Sequence, residues 1–183
     1  TPYVELPLGA YPVEVIPSGA VTPVISGTAV LSGWLDYTFA AIGDGINQPL
    51  ELLRLVDDNV TPPAAGTARL RLGHLAPFAN TLEGTKVDVC SAAGGAPLLD
   101  DIVYRQAGDI SLPAGLHNVF IAAPEPDCAL PLVRVPPFIV AAGQVIYAYA
   151  VGDLINLPPT IAADPVLSVN WSYLPVVRKA GTD

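Results

Sequence analysis

Gly43-Asp44-Gly45-Ile46-Asn47-Gln48-Pro49 returns as Gly152-Asp153-Leu154-Ile155-Asn156-Leu157-Pro158, a shared G-D-x-I-N-x-P at an offset of 109 residues. Working outward, Gly33-Trp34-Leu35-Asp36-Tyr37-Thr38-Phe39 recurs as Gly143-Gln144-Val145-Ile146-Tyr147-Ala148-Tyr149, and Glu5-Leu6-Pro7-Leu8-Gly9 recurs as Ser111-Leu112-Pro113-Ala114-Gly115. The offsets lie between 106 and 110, as small loop insertions would produce. A period of this kind marks a duplicated structural unit.

Between the repeated turns the chain shows almost no helical periodicity. Twenty prolines and sixteen glycines interrupt short runs of Val, Ile, Leu and Tyr, which reads as an all-β sandwich or barrel. Ala68-Arg69-Leu70-Arg71-Leu72 alternates strictly and predicts a half-buried strand. Val87–Cys90, Leu98–Tyr104 and Leu116–Ala122 predict further strands. The opening predicts a strand from Tyr3, a Pro7-Leu8-Gly9 turn and a second strand over Tyr11–Ile16.

The two copies are unequal. About forty residues, Gly66 to Gly108, precede the Leu-Pro-Ala-Gly turn of the second copy, against Thr1 to Glu5 in the first. The organisation expected is an incomplete unit over 1–58, a proline-rich linker over 59–66, a second unit over 67–164 and a C-terminal strand or tail over 165–183. A half-sandwich exposes core side chains and unpaired backbone groups. Three explanations compete: a partial sequence, a smaller rearranged first domain, or completion by a strand from another chain. Leu167, Val169, Trp171 and Tyr173 share one face of an alternating stretch and form the candidate assembly strand. Strand addition between molecules draws affinity from backbone pairing, and a head-to-tail contact that does not close builds a filament.

Composition narrows the compartment and the partners. The chain is 51% hydrophobic and 14% charged, with a net charge of −9. Such a surface favours contact with other proteins, either copies of itself or other surface proteins. The charge argues against nucleic acid. The longest apolar tract, Phe138–Gly152, is too short to span a membrane as a helix. The chain has no methionine, which fits removal of a signal peptide or an incomplete sequence. Cys90 and Cys128 lie 38 positions apart. A disulfide in an oxidising compartment is the first reading and two buried reduced thiols the second. The expected location is extracellular, cell-surface or periplasmic.

Ala68-Arg-Leu-Arg-Leu-Gly-His74-Leu-Ala-Pro77, Lys86-Val-Asp-Val-Cys90 and Ile110-Ser-Leu-Pro-Ala-Gly115, in that order, resemble domain of unknown function 4397. The resemblance covers most of residues 66–157 and, through the repeat, the later strands of 3–56. It implies secreted or envelope-located immunoglobulin-like β-sandwiches, often in tandem, with no established activity. Cys90 stands where the family commonly has an aromatic residue, Asn80–Thr85 is an insertion, and the first copy lacks its front half.

Motifs for chemistry are sparse. A nucleophilic triad needs a base, and the two histidines, His74 and His117, sit in strands. His74 is expected to bond backbone groups of the turn it enters, and His117 to face solvent. No G-x-S-x-G elbow or phosphate-binding glycine loop is present. Asp57-Asp58-Asn59 and Asp100-Asp101 are carboxylate pairs that could meet a cation, but turn chemistry accounts for such residues equally. Neither a metal nor a cofactor is expected. Asn170-Trp171-Ser172 is a formal glycosylation sequon. Trp34, Tyr37, Phe39, Tyr147 and Tyr149 read as packing residues rather than a sugar platform. The function expected is therefore non-enzymatic, a structural or assembly subunit. The alternative is an adhesion or carbohydrate-binding module.

Overall fold

A computed structural model describes residues 4–33, 35–57, 61–124, 126, 128–153 and 157–168, with backbone alone from 164. Apart from one 3-10 turn at Glu83–Thr85, its regular structure is entirely β. The strands are β1 (Gly9–Val15), β2 (Ile25–Leu31), β3 (Asp36–Ile42), β4 (Glu51–Asp57), β5 (Thr67–His74), β6 (Val87–Ser91) and β7 (Leu99–Ile102). They continue as β8 (Ala107–Pro113), β9 (Gly115–His117), β10 (Val119–Ala122), β11 (Pro131–Arg134), β12 (Phe138–Val140), β13 (Gln144–Val151) and β14 (Thr160–Ser168).

Residues 67–168 carry two four-stranded sheets, ordered β14-β13-β5-β8 and β11-β10-β6-β7, with a short β12-β9 pair. The alternation of β5 does what its sequence predicts. Ala68, Leu70 and Leu72 are buried, whereas Thr67, Arg69 and Arg71 are half-buried. The buried set joins Ile110, Leu112, Ala148 and Ala150 from its own sheet and Val87, Val89, Val119 and Ile121 from the facing one, forming a single core. β5 is a central strand, antiparallel to β8 and parallel to β13.

The first copy holds the same pieces with fewer partners. β1 pairs only with β2 and β3 only with β4, each as a two-stranded ribbon. Registers confirm the correspondence. Ile42 faces Glu51 as Val151 faces Thr160, 109 residues on at both partners. Gly9 likewise faces Leu31 as Gly115 faces Val140. β3 and β4 thus stand for β13 and β14, and β1 for β9 and β10. Gly27 on β2 lies against Leu52 on β4, so the two ribbons stack on each other.

Three expectations change in detail. Val4–Leu8 forms no strand, so the front hairpin is absent and β1 starts at Gly9. The strand expected over Leu116–Ala122 is broken at Asn118 into β9 and β10, which serve different sheets. β14 runs to Ser168, across the expected boundary at 164, and its Leu167 stands opposite Val145 of the same chain.

A candidate assembly surface

The repeated turn shows how sequence sets local structure. The Asp44 carboxylate accepts the backbone N–H groups of Ile46, Asn47 and Gln48 at 2.8–3.0 Å and the Asn47 side-chain amide at 2.8 Å. Burial works to raise its pKa, but these donors outweigh it and hold the carboxyl below the usual range. In the second copy, Asp153 accepts the Leu157 N–H at 2.8 Å. Asp44 is therefore the hub of an Asx-type turn that closes the β3–β4 hairpin, and the Asp153 bond to Leu157 corresponds to the Asp44 bond to Gln48.

β3–β4 rests on the second copy. Ile42, with Ala40 and Leu53 beside it, packs with Leu75, Tyr104, Tyr149 and Val151 in a second apolar cluster. Gln48 Nε2 donates to the Ala79 carbonyl at 2.8 Å, and Arg105 Nε lies 3.0 Å from Glu51 Oε1. Burial, with the Glu51 carboxylate adding to it, pushes the Tyr104 phenol up to about 12. β13 is consequently covered on both faces, by its own core on one side and by β3–β4 on the other.

In the second copy β5 sits between β13 and β8. At an offset of 106, Val4 and Leu6 correspond to Ile110 and Leu112 of β8. Ile110 and Leu112 are each 4% exposed, whereas Val4 and Leu6 are 76% and 51% exposed. Among the described residues β3 pairs with β4 alone, whereas β13 pairs with both β14 and β5. Leu8, Val21, Val24 and Val30 add further exposed apolar surface around the same ribbons. Monomeric proteins rarely expose apolar surface in contiguous patches.

Of the candidate assembly strand, Leu167 belongs to β14, and Val169, Trp171 and Tyr173 lie outside the described residues. Cys90 and Cys128 are joined in a disulfide, with Cα atoms 5.7 Å apart. The bond ties the loop after β10 to β6, where Cys90 is fully buried. A disulfide suits an oxidising compartment.

His74 is 1% exposed. Its Nδ1 accepts the Ala76 N–H at 3.3 Å, leaving Nε2–H to donate to the Thr85 carbonyl at 2.7 Å. Phe78 stacks on the ring, and Thr85 Oγ1 in turn accepts the Tyr104 N–H. Burial lowers the pKa of His74, opposed by the bond to Thr85. In the unfolded chain the group titrates near 6.5. The folded form resists the proton, so stability is fully present above about 6.5 and is lost as pH falls towards the lower folded value. A loss of up to about 1.4 kcal/mol per pH unit is expected on the acid side of 6.5. Urea unfolding across that window checks this, and His74→Gln should flatten the slope.

His117 is half-buried, and its Nε2 donates to the Pro113 carbonyl at 2.7 Å in an exposed setting. Asp57 accepts the Thr38 hydroxyl at 2.6 Å, while Asp58 and Asn59 lie outside the described residues. Asp88, Asp100 and Asp101 bring carboxylate oxygens within 4.8 Å of one another, a grouping the sequence shows only as Asp100-Asp101. The Asp101 N–H donates to Asp88 Oδ1, and the Lys86 ammonium lies 3.0 Å from Asp101 Oδ2, supplying a cation to the group. Between the sheets of the second copy an apolar hollow of about 410 Å³ is lined by Leu70, Val89, Ile121, Phe138, Ile146 and Ile161 among others. Among the described residues no helix is long and apolar enough to cross a membrane.

Comparison with known proteins agrees with the family resemblance. Residues 1–85 match Domain of unknown function (DUF4397), and the chain carries a DUF4397 domain over that stretch. The match takes in β1–β5 and ends at Thr85, so it covers the first copy and the opening strand of the second. The Val87–Cys90 and Ile110–Gly115 motifs lie beyond it. The C-terminal domain of AlgF from P. aeruginosa is similar to 54% of this chain over 99% of its own length, at 20% identity and a TM-score of 0.40. No curated protein matches the chain.

Proposed function

We propose that the protein is an exported, non-enzymatic structural subunit built of two tandem immunoglobulin-like units, and that it assembles by strand complementation of the first. The observation carrying this reading is the contrast between Ile110 and Leu112, buried in β8, and their counterparts Val4 and Leu6, exposed and unpaired. The same sequence element is a core strand in β8, beside β5, and lies outside any strand at Val4–Leu8. Adding a strand there buries apolar side chains and satisfies backbone groups together, which is the basis of strand-addition complexes. A donor from a neighbouring copy gives a head-to-tail contact, and a contact that does not close extends as a filament. The disulfide supports an extracellular or periplasmic setting. Hydrogen exchange at β3 and residues 4–8 tests the reading, because protection there must rise as molecules associate.

A further inference from the structure

We propose that the apolar hollow between the two sheets of the second copy binds one single-chain amphiphile with an anionic head, in its simplest form a medium-chain fatty carboxylate. The acyl chain enters between the sheets, and the carboxylate stays at the rim on Arg134. The site uses residues of the second copy alone and is independent of the assembly reading.

The hollow reaches from the surface into the core itself. Its floor is Leu70 and Leu72 of β5, Val89 of β6 and Ile121 of β10, all of them buried. Ala148 of β13 and Ala163 of β14, paired across the hairpin register, form part of its wall. Two alanines at paired positions leave room that larger side chains would fill. At the mouth Ile139 lines the hollow while 76% exposed. Protein interiors are packed about as densely as organic crystals, with few voids larger than a water molecule. A space of about 410 Å³ walled mostly by aliphatic groups offers water few hydrogen-bond partners, and such spaces take apolar guests. Its volume is that of a small-molecule site.

The rim supplies the charge. Arg134 lines this hollow and also an adjoining one of about 440 Å³, which gives a head group space around the guanidinium. The chain holds 8 Lys and Arg against 17 Asp and Glu, so a cation readily finds a carboxylate. Arg71, Lys86 and Arg105 each do, Arg54 lies over the Tyr37 ring, and Arg69 has a partner as well. Among the described residues Arg134 is the one Lys or Arg whose side chain has none of these partners. Gln144 Oε1 accepts the Ala141 N–H at 2.9 Å, which leaves its amide N–H groups to donate at the same hollow. A guanidinium holds a carboxylate through two parallel hydrogen bonds. Apolar walls and an unpaired cation at one opening call for a chain and an anion in the same molecule.

The probe is dodecanoate, added to the full chain below its micelle concentration and followed by titration calorimetry. It should bind saturably, and each methylene from octanoate to dodecanoate should tighten binding about fourfold while the chain is buried. Arg134→Gln should weaken dodecanoate about tenfold and leave uncharged decanol nearly unaffected, and Arg134→Lys should recover most of the loss. Ala163→Trp, at an exposed position of the wall, should fill the hollow and abolish binding of both. Circular dichroism checks that the variants are folded, and Ile139→Trp at the mouth replaces Ala163→Trp if that chain is not. No saturable binding of dodecanoate overturns the inference. So does affinity independent of chain length, unchanged affinity in a folded tryptophan variant, or an equal loss for decanol in Arg134→Gln. Pelleting with phosphatidylglycerol vesicles without saturable dodecanoate binding would assign the surface to a membrane and overturn it. A wild-type chain that binds nothing, with a lower sedimentation mass in Ala163→Trp, would assign the hollow to a second copy and overturn it equally.

Discussion

Replacing both Cys90 and Cys128 with alanine should destabilise the protein by about 4 kcal/mol, from the loop-closure entropy of a 38-residue separation. For a chain of this size that corresponds to a fall in Tm of roughly 10 °C. The position of the bond makes the loss specific. Cys90 is a fully buried member of β6, opposite Phe120 on β10, whereas Cys128 lies in the loop between β10 and β11. Without the bond, β11, joined to the sheet through β10 alone, should loosen first. Scanning calorimetry of the double variant gives the magnitude. An unchanged Tm would show that the link adds nothing to the fold.

The second large effect is expected at the glycines that open the two signature turns. Gly43 has φ of 95° and Gly152 has φ of 110°, values that side-chain-bearing residues avoid. Space is short as well. A Cβ on Gly152 would lie 2.6 Å from the Pro158 carbonyl oxygen, and one on Gly43 would overlap the Pro49 carbonyl oxygen. Backbone occupies the space in both cases, so no rotamer change relieves the contact. Alanine at either position should cost about 2–4 kcal/mol. The readouts should differ. Gly152→Ala opens the hairpin that contributes β13, a central strand of the larger core, and should shift the main urea transition. Gly43→Ala should release β3–β4 from Tyr104 and Tyr149 and produce an earlier transition with the main one nearly unmoved. Equal shifts of one shared transition would mean that the two copies unfold as one unit.

Those two glycines also show how much was legible in the sequence. G-D-x-I-N-x-P identified a duplicated turn because its chemistry is local, an aspartate binding the N–H groups that follow it. The alternation in Ala68–Leu72 identified β5 for the same kind of reason. The pairing of Cys90 with Cys128 was one of two readings, since spacing cannot tell a bond from two buried thiols. Contacts between distant residues left no such trace. Tyr147 and Tyr149 read as ordinary packing, and nothing in their pattern shows that the outer face of β13 is covered by the first copy. Gln48 bonding to Ala79 is equally silent in sequence. The front hairpin was misread because Glu5-Leu6-Pro7 has the composition of a strand, as its counterpart in β8 does. A strand is realised only where a partner supplies the hydrogen bonds, and β8 has β5 beside it while Val4–Leu8 has no strand partner among the described residues.

That difference leads to the most direct measurement of the account, amide hydrogen exchange followed residue by residue in dilute and in concentrated protein. β5 and β13, paired on both edges, should be slow throughout and serve as the internal reference. Amides of residues 4–8 and those along the open edge of β3 should exchange fast when dilute and become protected as concentration rises. Protection in those segments that is already complete at high dilution would contradict the account, and so would fast exchange that persists at every concentration.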